Sequence, residues 1–191
     1  MVSFKVSWGC PPTLKVKILE DFYRLLHPRP VAILLTLDGK GKPNFMACSW
    51  LSPASEEPPM IAAFLGEQSY TRKLIVERGE FTVNIPSREQ MALVKVAGTR
   101  SGRRVDKLKL VKVSLKPGRK VKVPIIEDCP ANLECRLKDV FEAGECLTLL
   151  GEVLDAYVDR EAFRRGSWLV EIPLHVWGGW FAYPGKPVKE W

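Results

Sequence analysis

Three stretches of this chain carry residues whose types and spacing suit chemistry. Ser69-Tyr70-Thr71-Arg72-Lys73 sets two flanking hydroxyls and two cations at the predicted start of a helix. That end of a helix presents free N–H groups and a positive dipole, so the stretch reads as an anion site or as an ordinary capped first turn. Asn44 to Ser49 is extended and rich in small or polar residues: Asn44, Ala47, Cys48 and Ser49. A bulky apolar strand does not need such residues, whereas a strand with a flat ligand lying along its backbone does. Gly98 to Lys107, with Arg100, Arg103 and Arg104, is a basic glycine-bearing loop and a second anion candidate; a solvated loop is the plain alternative.

Other chemistries find no support. Five cysteines show no CxxC spacing, and His27 and His175 stand far apart, so no metal site assembles from sequence. No Ser/His/Asp or Cys/His signature, no GxGxxG after a strand and no Walker sequence is present. The net charge is +7, which suits an anionic partner or a solvated basic surface. Between Arg100 and Lys122 no aromatic interrupts the basic residues, which weighs against single-stranded nucleic acid.

The elements that position these residues read as follows. Val31 to Leu37, a turn-rich Asp38 to Pro43, and Asn44 to Trp50 form a β-hairpin with a longer loop. Upstream, Leu19, Phe22, Leu25 and Leu26 recur at helical spacing, which predicts a helix stopped by Pro28 and Pro30. Leu51 to Pro59, with three prolines, reads as a loop, and Met60 to Leu65 as a buried strand. A helix capped by Ser69 and ended by Gly79 follows. Phe81 to Ile85 is a strand, and Ser87 with Gln90 forms a capping box for a second helix. Leu110 to Leu115, Val121 to Ile126, Ala131 to Val140 and Glu145 to Val158 read as strands, Asp159 to Arg165 as a short helix, and Trp168 to Ile172 and His175 to Tyr183 as extended. Many short strands with few helices predict a mainly β fold with helical excursions, a small barrel.

With 191 residues the chain fits one domain over 1–191, with 1–13 as an N-terminal arm and 184–191 as a tail. It is 46% apolar and 27% charged, ordinary for a globular protein. No run is long and apolar enough to span a membrane, and the N-terminus lacks a basic segment followed by an apolar core. We therefore expect a cytoplasmic protein with reduced thiols. Few Asn and Gln beside many Lys, Arg and Glu point to a thermophilic source.

The order "RPVAILLTLDGKGKPNFMACSWLSPAS", then "GEFTVNI", "NLECRL" and "LLGEV", resembles the flavin reductase-like, FMN-binding split-barrel family, over roughly residues 25 to 185. The resemblance implies a Greek-key split β-barrel that binds FMN, takes hydride from NADH or NADPH, and passes electrons to flavin, ferric iron or a redox partner protein. It implies cofactor contacts at Thr36, Asn44, Ala47, Cys48, Ser49, Ser69, Thr71, Arg72 and Asn84, no catalytic side chain beyond the cofactor, and a homodimer with the flavin near its interface. The aromatic C-terminus, Trp177, Trp180, Phe181, Tyr183 and Trp191, fits a flavin cover, an interface or core filling. Two departures stand out: Leu108 follows Asp106-Lys107 where relatives carry an aromatic, and Cys146 replaces a common histidine. An FMN electron carrier that never meets nicotinamide and a basic nucleic-acid-binding barrel remain the alternatives.

Overall fold

The computed structural model describes residues 15–185. The expected N-terminal arm, Cys10 and Trp191 lie outside the described residues. The chain runs from a 3-10 turn (Phe22–Leu26) through β1 (Arg29–Pro30), β2 (Ala32–Leu37), β3 (Pro43–Cys48), β4 (Leu51–Ser55) and β5 (Met60–Gly66) to α1 (Tyr70–Arg78) and β6 (Glu80–Ile85). Then come α2 (Met91–Thr99), β7 (Leu115–Lys116), β8 (Ile125–Ile126), β9 (Ala131–Ala143), β10 (Cys146–Val158) and two hairpins, β11 (Phe163–Arg164) with β12 (Ser167–Trp168), and β13 (Leu174–Trp177) with β14 (Trp180–Ala182).

Seven strands form one antiparallel sheet in the order β3-β2-β6-β9-β10-β5-β4. Its two edges, β3 and β4, are consecutive in the chain and separated by two residues. The sheet must therefore curl until its edges approach, which is the split barrel. The fold is mainly β, as the strand count predicts.

Side chains alternate across each strand, so the strands sort their residues into two cores. Leu34, Cys48, Ala63, Leu65, Phe81, Val83, Cys135 and Leu149 converge inside the barrel, joined by Ile75 of α1. Ile33, Leu35 and Phe45 face the other way, against Leu93, Val94 and Ala97 of α2 and against Val121, Val123 and Ile126. β2 is buried along its whole length because both faces are covered. At α1 the sequence signals hold: Ser69 accepts the Arg72 amide, and Gly79 ends the helix at φ 77. Ser87 and Gln90 form the capping box, here opening on a 3-10 turn before α2.

Four expectations are corrected. Leu51–Ser55 is a strand; its Pro53 is tolerated because β4 is a sheet edge. The predicted Leu19–Leu26 helix is only a 3-10 turn, and Leu19, Phe22, Leu25 and Leu26 are all exposed. Leu110–Leu115 and Val121–Ile126 give way to two-residue strands, Leu115–Lys116 and Ile125–Ile126, and carboxylates take up neighbouring amides instead: Asp128 accepts that of Ser114, Glu134 those of Arg119, Lys120 and Val121, and Glu80 that of Lys122. Asp159–Arg165 is a turn leading into a hairpin closed by Arg165 and Gly166 at φ 52 and 79, a left-handed pair suited to tight hairpins.

Candidate functional site

The alternation of β3 decides where the predicted site residues go. Asn44, Met46 and Cys48 point toward the barrel interior and α1, while Phe45, Ala47 and Ser49 point toward α2. The single slot expected over Asn44–Ser49 is therefore two surfaces of one strand.

At the start of β3, the buried Asn44 donates from Nδ2 to Thr71 Oγ1 at 2.8 Å. Ser69 Oγ donates to Met46 Sδ at 3.1 Å while accepting the Arg72 amide. Both hydroxyls of the helix start are thus engaged in joining α1 to β3; Arg72 is half-buried beside them. The basic loop closes on the same place. A Cβ on Gly102 would lie 1.9 Å from Asn44 Oδ1 and 3.2 Å from Tyr70 Cδ1, so only glycine fits there. The Arg103 guanidinium sits 5.6 Å from the centre of the Tyr70 ring. Tyr70 of the first anion candidate and Gly102 to Lys107 of the second thus meet at a cavity of about 230 Å³ that Asp38, Lys42 and Asn44 also line; Ser69, Thr71 and Arg72 stand behind it and do not line it. Asp106, also in the lining, pairs with Lys42 at 3.0 Å, whose ammonium holds its carboxyl below the usual range. Residues 98 and 99 belong to α2, so the loop proper starts at Arg100.

At the other end of β3, Ala47 and Ser49 open onto a larger pocket of about 670 Å³. Val31, Met91, Val94 and Phe181 make it largely apolar, and Gly98, Gly178 and Gly179 keep its wall low. Such a volume falls inside the range of about 300–1,000 Å³ common for ligand sites. His175 stands in this wall. Its Nε2 lies 3.2 Å from the Gly178 carbonyl, an acceptor only, so Nε2 carries the hydrogen and Nδ1 is left to accept from Ser49 Oγ at 3.5 Å. Desolvation holds the His175 pKa below its ordinary value, and the nearby His27 and Arg29 act the same way against the Gly178 carbonyl. A Ser49 hydroxyl that donates to His175 keeps its oxygen lone pairs available to accept.

Between the two ends runs the outer edge of β3, which pairs with no other strand among the described residues. The Phe45 carbonyl points off this edge, because Lys107 Nζ donates to it. Backbone direction alternates along a strand, so the N–H and C=O of Ala47 point off the same free edge.

Three predicted contacts belong to the core instead. Thr36 is 0% exposed, and its Oγ1 donates to the Glu80 carbonyl at 2.9 Å. Asn84, also 0% exposed, donates to the Ile33 carbonyl and Thr82 Oγ1, and its Oδ1 accepts from the Ile126 amide and Asn132 Nδ2. It is a saturated crosslink of four chain segments. Cys48 packs inside the barrel, its thiol facing the Trp50 carbonyl and pushed up to about 12 by burial. Conversely, Gly102, Tyr70 and His175 are site residues that the sequence does not single out as contacts. Tyr70 and Gly102 fall within the two anion-candidate stretches, whereas nothing local marks His175, which reaches Ser49 across 126 residues of chain.

The family model for the flavin reductase like domain matches residues 23–181. An uncharacterized protein of Archaeoglobus fulgidus is 37% identical over 152 residues, covering 80% of this chain and 82% of its own. A flavin reductase (NADH) of Kitasatospora aureofaciens is 29% identical over 165 residues, covering 85% and 78%. Among solved structures, a flavoredoxin from Methanosarcina acetivorans superposes with a TM-score of 0.80 at 28% identity, covering 93% of this chain and 95% of that one. With the split barrel, the open edge of β3 and a family match spanning most of its length, the chain belongs to the flavin reductase-like domain family.

Proposed function

We propose that the protein is an FMN-dependent oxidoreductase that takes hydride from NADH or NADPH. The observation that carries this reading is the unpaired outer edge of β3, walled by an apolar pocket at one end and a basic cavity at the other. From Asn44 to Ser49 the strand spans about 17 Å at ~3.3 Å per residue. That length suits a ligand with a flat ring at one end and a phosphate at the other.

The residues present fit such a ligand. Ala47 and Gly98 leave room for a ring against the strand, and Ser49 Oγ, oriented by His175, can accept an N–H from its polar edge. At the opposite end, the first turn of α1, with Ser69, Thr71 and Arg72 and the loop cations Arg103 and Arg104, supplies the positive field for a phosphate. FMN would supply hydride acceptance and onward electron transfer to free flavin, ferric iron or a partner protein. The protein binds, orients and keeps water from the ring; no side chain acts as nucleophile.

The exposed apolar residues of the 3-10 turn, Phe22, Leu25 and Leu26, lie next to the terminal hairpin, where Arg24 stacks on Trp177 at 3.6 Å and Trp180 is 75% exposed. This surface is the one we assign to a two-fold dimer. Anaerobic rapid mixing with NADH or NADPH tests the function. Bleaching of bound FMN within the turnover time is expected. FMN that stays oxidised with both donors would leave an electron carrier, like the flavoredoxins the fold matches.

A further inference from the structure

Lys107 is 5% exposed. An ammonium has three donors. One goes to the Phe45 carbonyl on the outer edge of β3 and one to the Ala97 carbonyl of α2 at 3.4 Å, near the negative end of that helix. Among the described residues no carboxylate pairs with it, since Asp106 turns to Lys42. The third donor has no acceptor among the described residues, and Lys107 lines the basic cavity beside Asn44, Tyr70 and Gly102.

A buried ammonium without a carboxylate is unfavourable, and desolvation draws its pKa down to about 8. An anion entering the cavity would offset that desolvation and favour the charged form. By linkage, the charged form favours the anion equally. We infer that Lys107 is a titrating cation that makes the cavity selective for a phosphate-bearing ligand and takes up a proton as that ligand binds. The inference rests on the flavin reading above and names how the phosphate is recognised.

The other groups facing the cavity do not supply this response. Asp38 and Lys42 come from the β2–β3 turn, Tyr70 from α1, and Arg103, Arg104 and Asp106 from the loop. The Lys42 and Lys40 amides hold the Asp38 carboxyl low, and the Lys42 ammonium does the same for Asp106. Arginine does not lose its proton in a protein. Of these groups Lys107 is the one that burial brings to near-neutral titration.

The test compares FMN with riboflavin, which shares the ring and ribityl chain, so the affinity ratio isolates the phosphate. Flavin-free protein is titrated from about pH 7 to about 9.5, where the phosphate is already a dianion. Calorimetry in two buffers of different ionisation heat reads proton uptake. The FMN preference of the natural protein should fall roughly tenfold over this range, with uptake of a fraction of a proton near pH 8. Lys107→Met should lower the preference about tenfold and flatten its pH dependence, whereas Lys107→Arg should keep the preference and flatten it. A constant preference with no proton uptake on FMN binding overturns the inference while leaving the flavin reading intact. Should neither variant fold, proton uptake by the natural protein decides alone. Protein that binds neither flavin overturns the flavin reading, and the inference with it.

Discussion

Glu134 and Lys107 are the two charged side chains buried among the described residues, and they are treated in opposite ways. Glu134 is enclosed. It accepts the amides of Arg119, Lys120 and Val121 and the Tyr157 hydroxyl, and a Cβ on Gly118 would meet its Oε2 at 2.9 Å. Desolvation alone would raise its pKa, but these donors outweigh it, and the carboxyl titrates below its ordinary range. Lys107 keeps one donor free beside a cavity. A buried charge saturated by its own chain organises the fold; one left short of partners next to open space is poised for a ligand.

The largest expected effect is at Glu134. Glu134→Ala leaves three backbone amides, of which that of Val121 is buried, without an acceptor and should cost about 3 kcal/mol of stability, read from denaturant midpoints. The pH sign follows from the lowered pKa. The unfolded chain binds the proton first as pH falls, so this stabilisation is present above the ordinary carboxylate range and is lost on acidification through the depressed native value. Glu134→Gln should lose that acid dependence. Unchanged midpoints in both variants would remove the contrast with Lys107.

Next is Gly102→Val, which places a side chain where Asn44 stands. The loop must lift from β3, and FMN should weaken roughly ten- to hundredfold, with the thermal midpoint lowered by several degrees by overpacking of about 1–3 kcal/mol. Unaltered FMN affinity would detach the loop from the site. A smaller effect is expected from Ser69→Ala with Thr71→Val. The cap and the Asn44 contact are lost, and FMN should weaken about tenfold more than riboflavin. Equal weakening of both ligands would put the phosphate elsewhere.

Six of the seven barrel strands, both helix starts and the basic loop are legible in the sequence because each depends on local signals: turn formers, caps and alternation; β4 is not, because its proline reads as a loop signal. The two surfaces of β3 are not separated there, although period-two alternation applied to Asn44, Ala47, Cys48 and Ser49 is enough to separate them. Thr36 and Asn84 read as cofactor contacts through the family resemblance, and their residue types alone do not reveal the bonds that hold them. Their partners, Glu80 and Ile126, are 42 to 44 residues away and are not visible locally. The same distance effect hides His175. Leu19 to Leu26 shows the converse, since helical apolar spacing there yields an exposed surface in the single chain.

The smallest effect is expected at the thiols. Cys129 and Cys135 lie in different cores and are both pushed up to about 12 by burial, so they form no redox pair. Cys146→Ser should leave NAD(P)H turnover unchanged; a loss with FMN still bound would reveal a thiol relay.

The most direct test of the central claim is flavin stoichiometry. Purified protein is saturated with FMN, freed of excess and denatured by heat or acid, and the released compound is identified by mass and counted by absorbance. The geometry of β3 predicts one non-covalent FMN per chain. A protein that remains colourless after incubation with FMN would contradict the assignment of this edge as a flavin site.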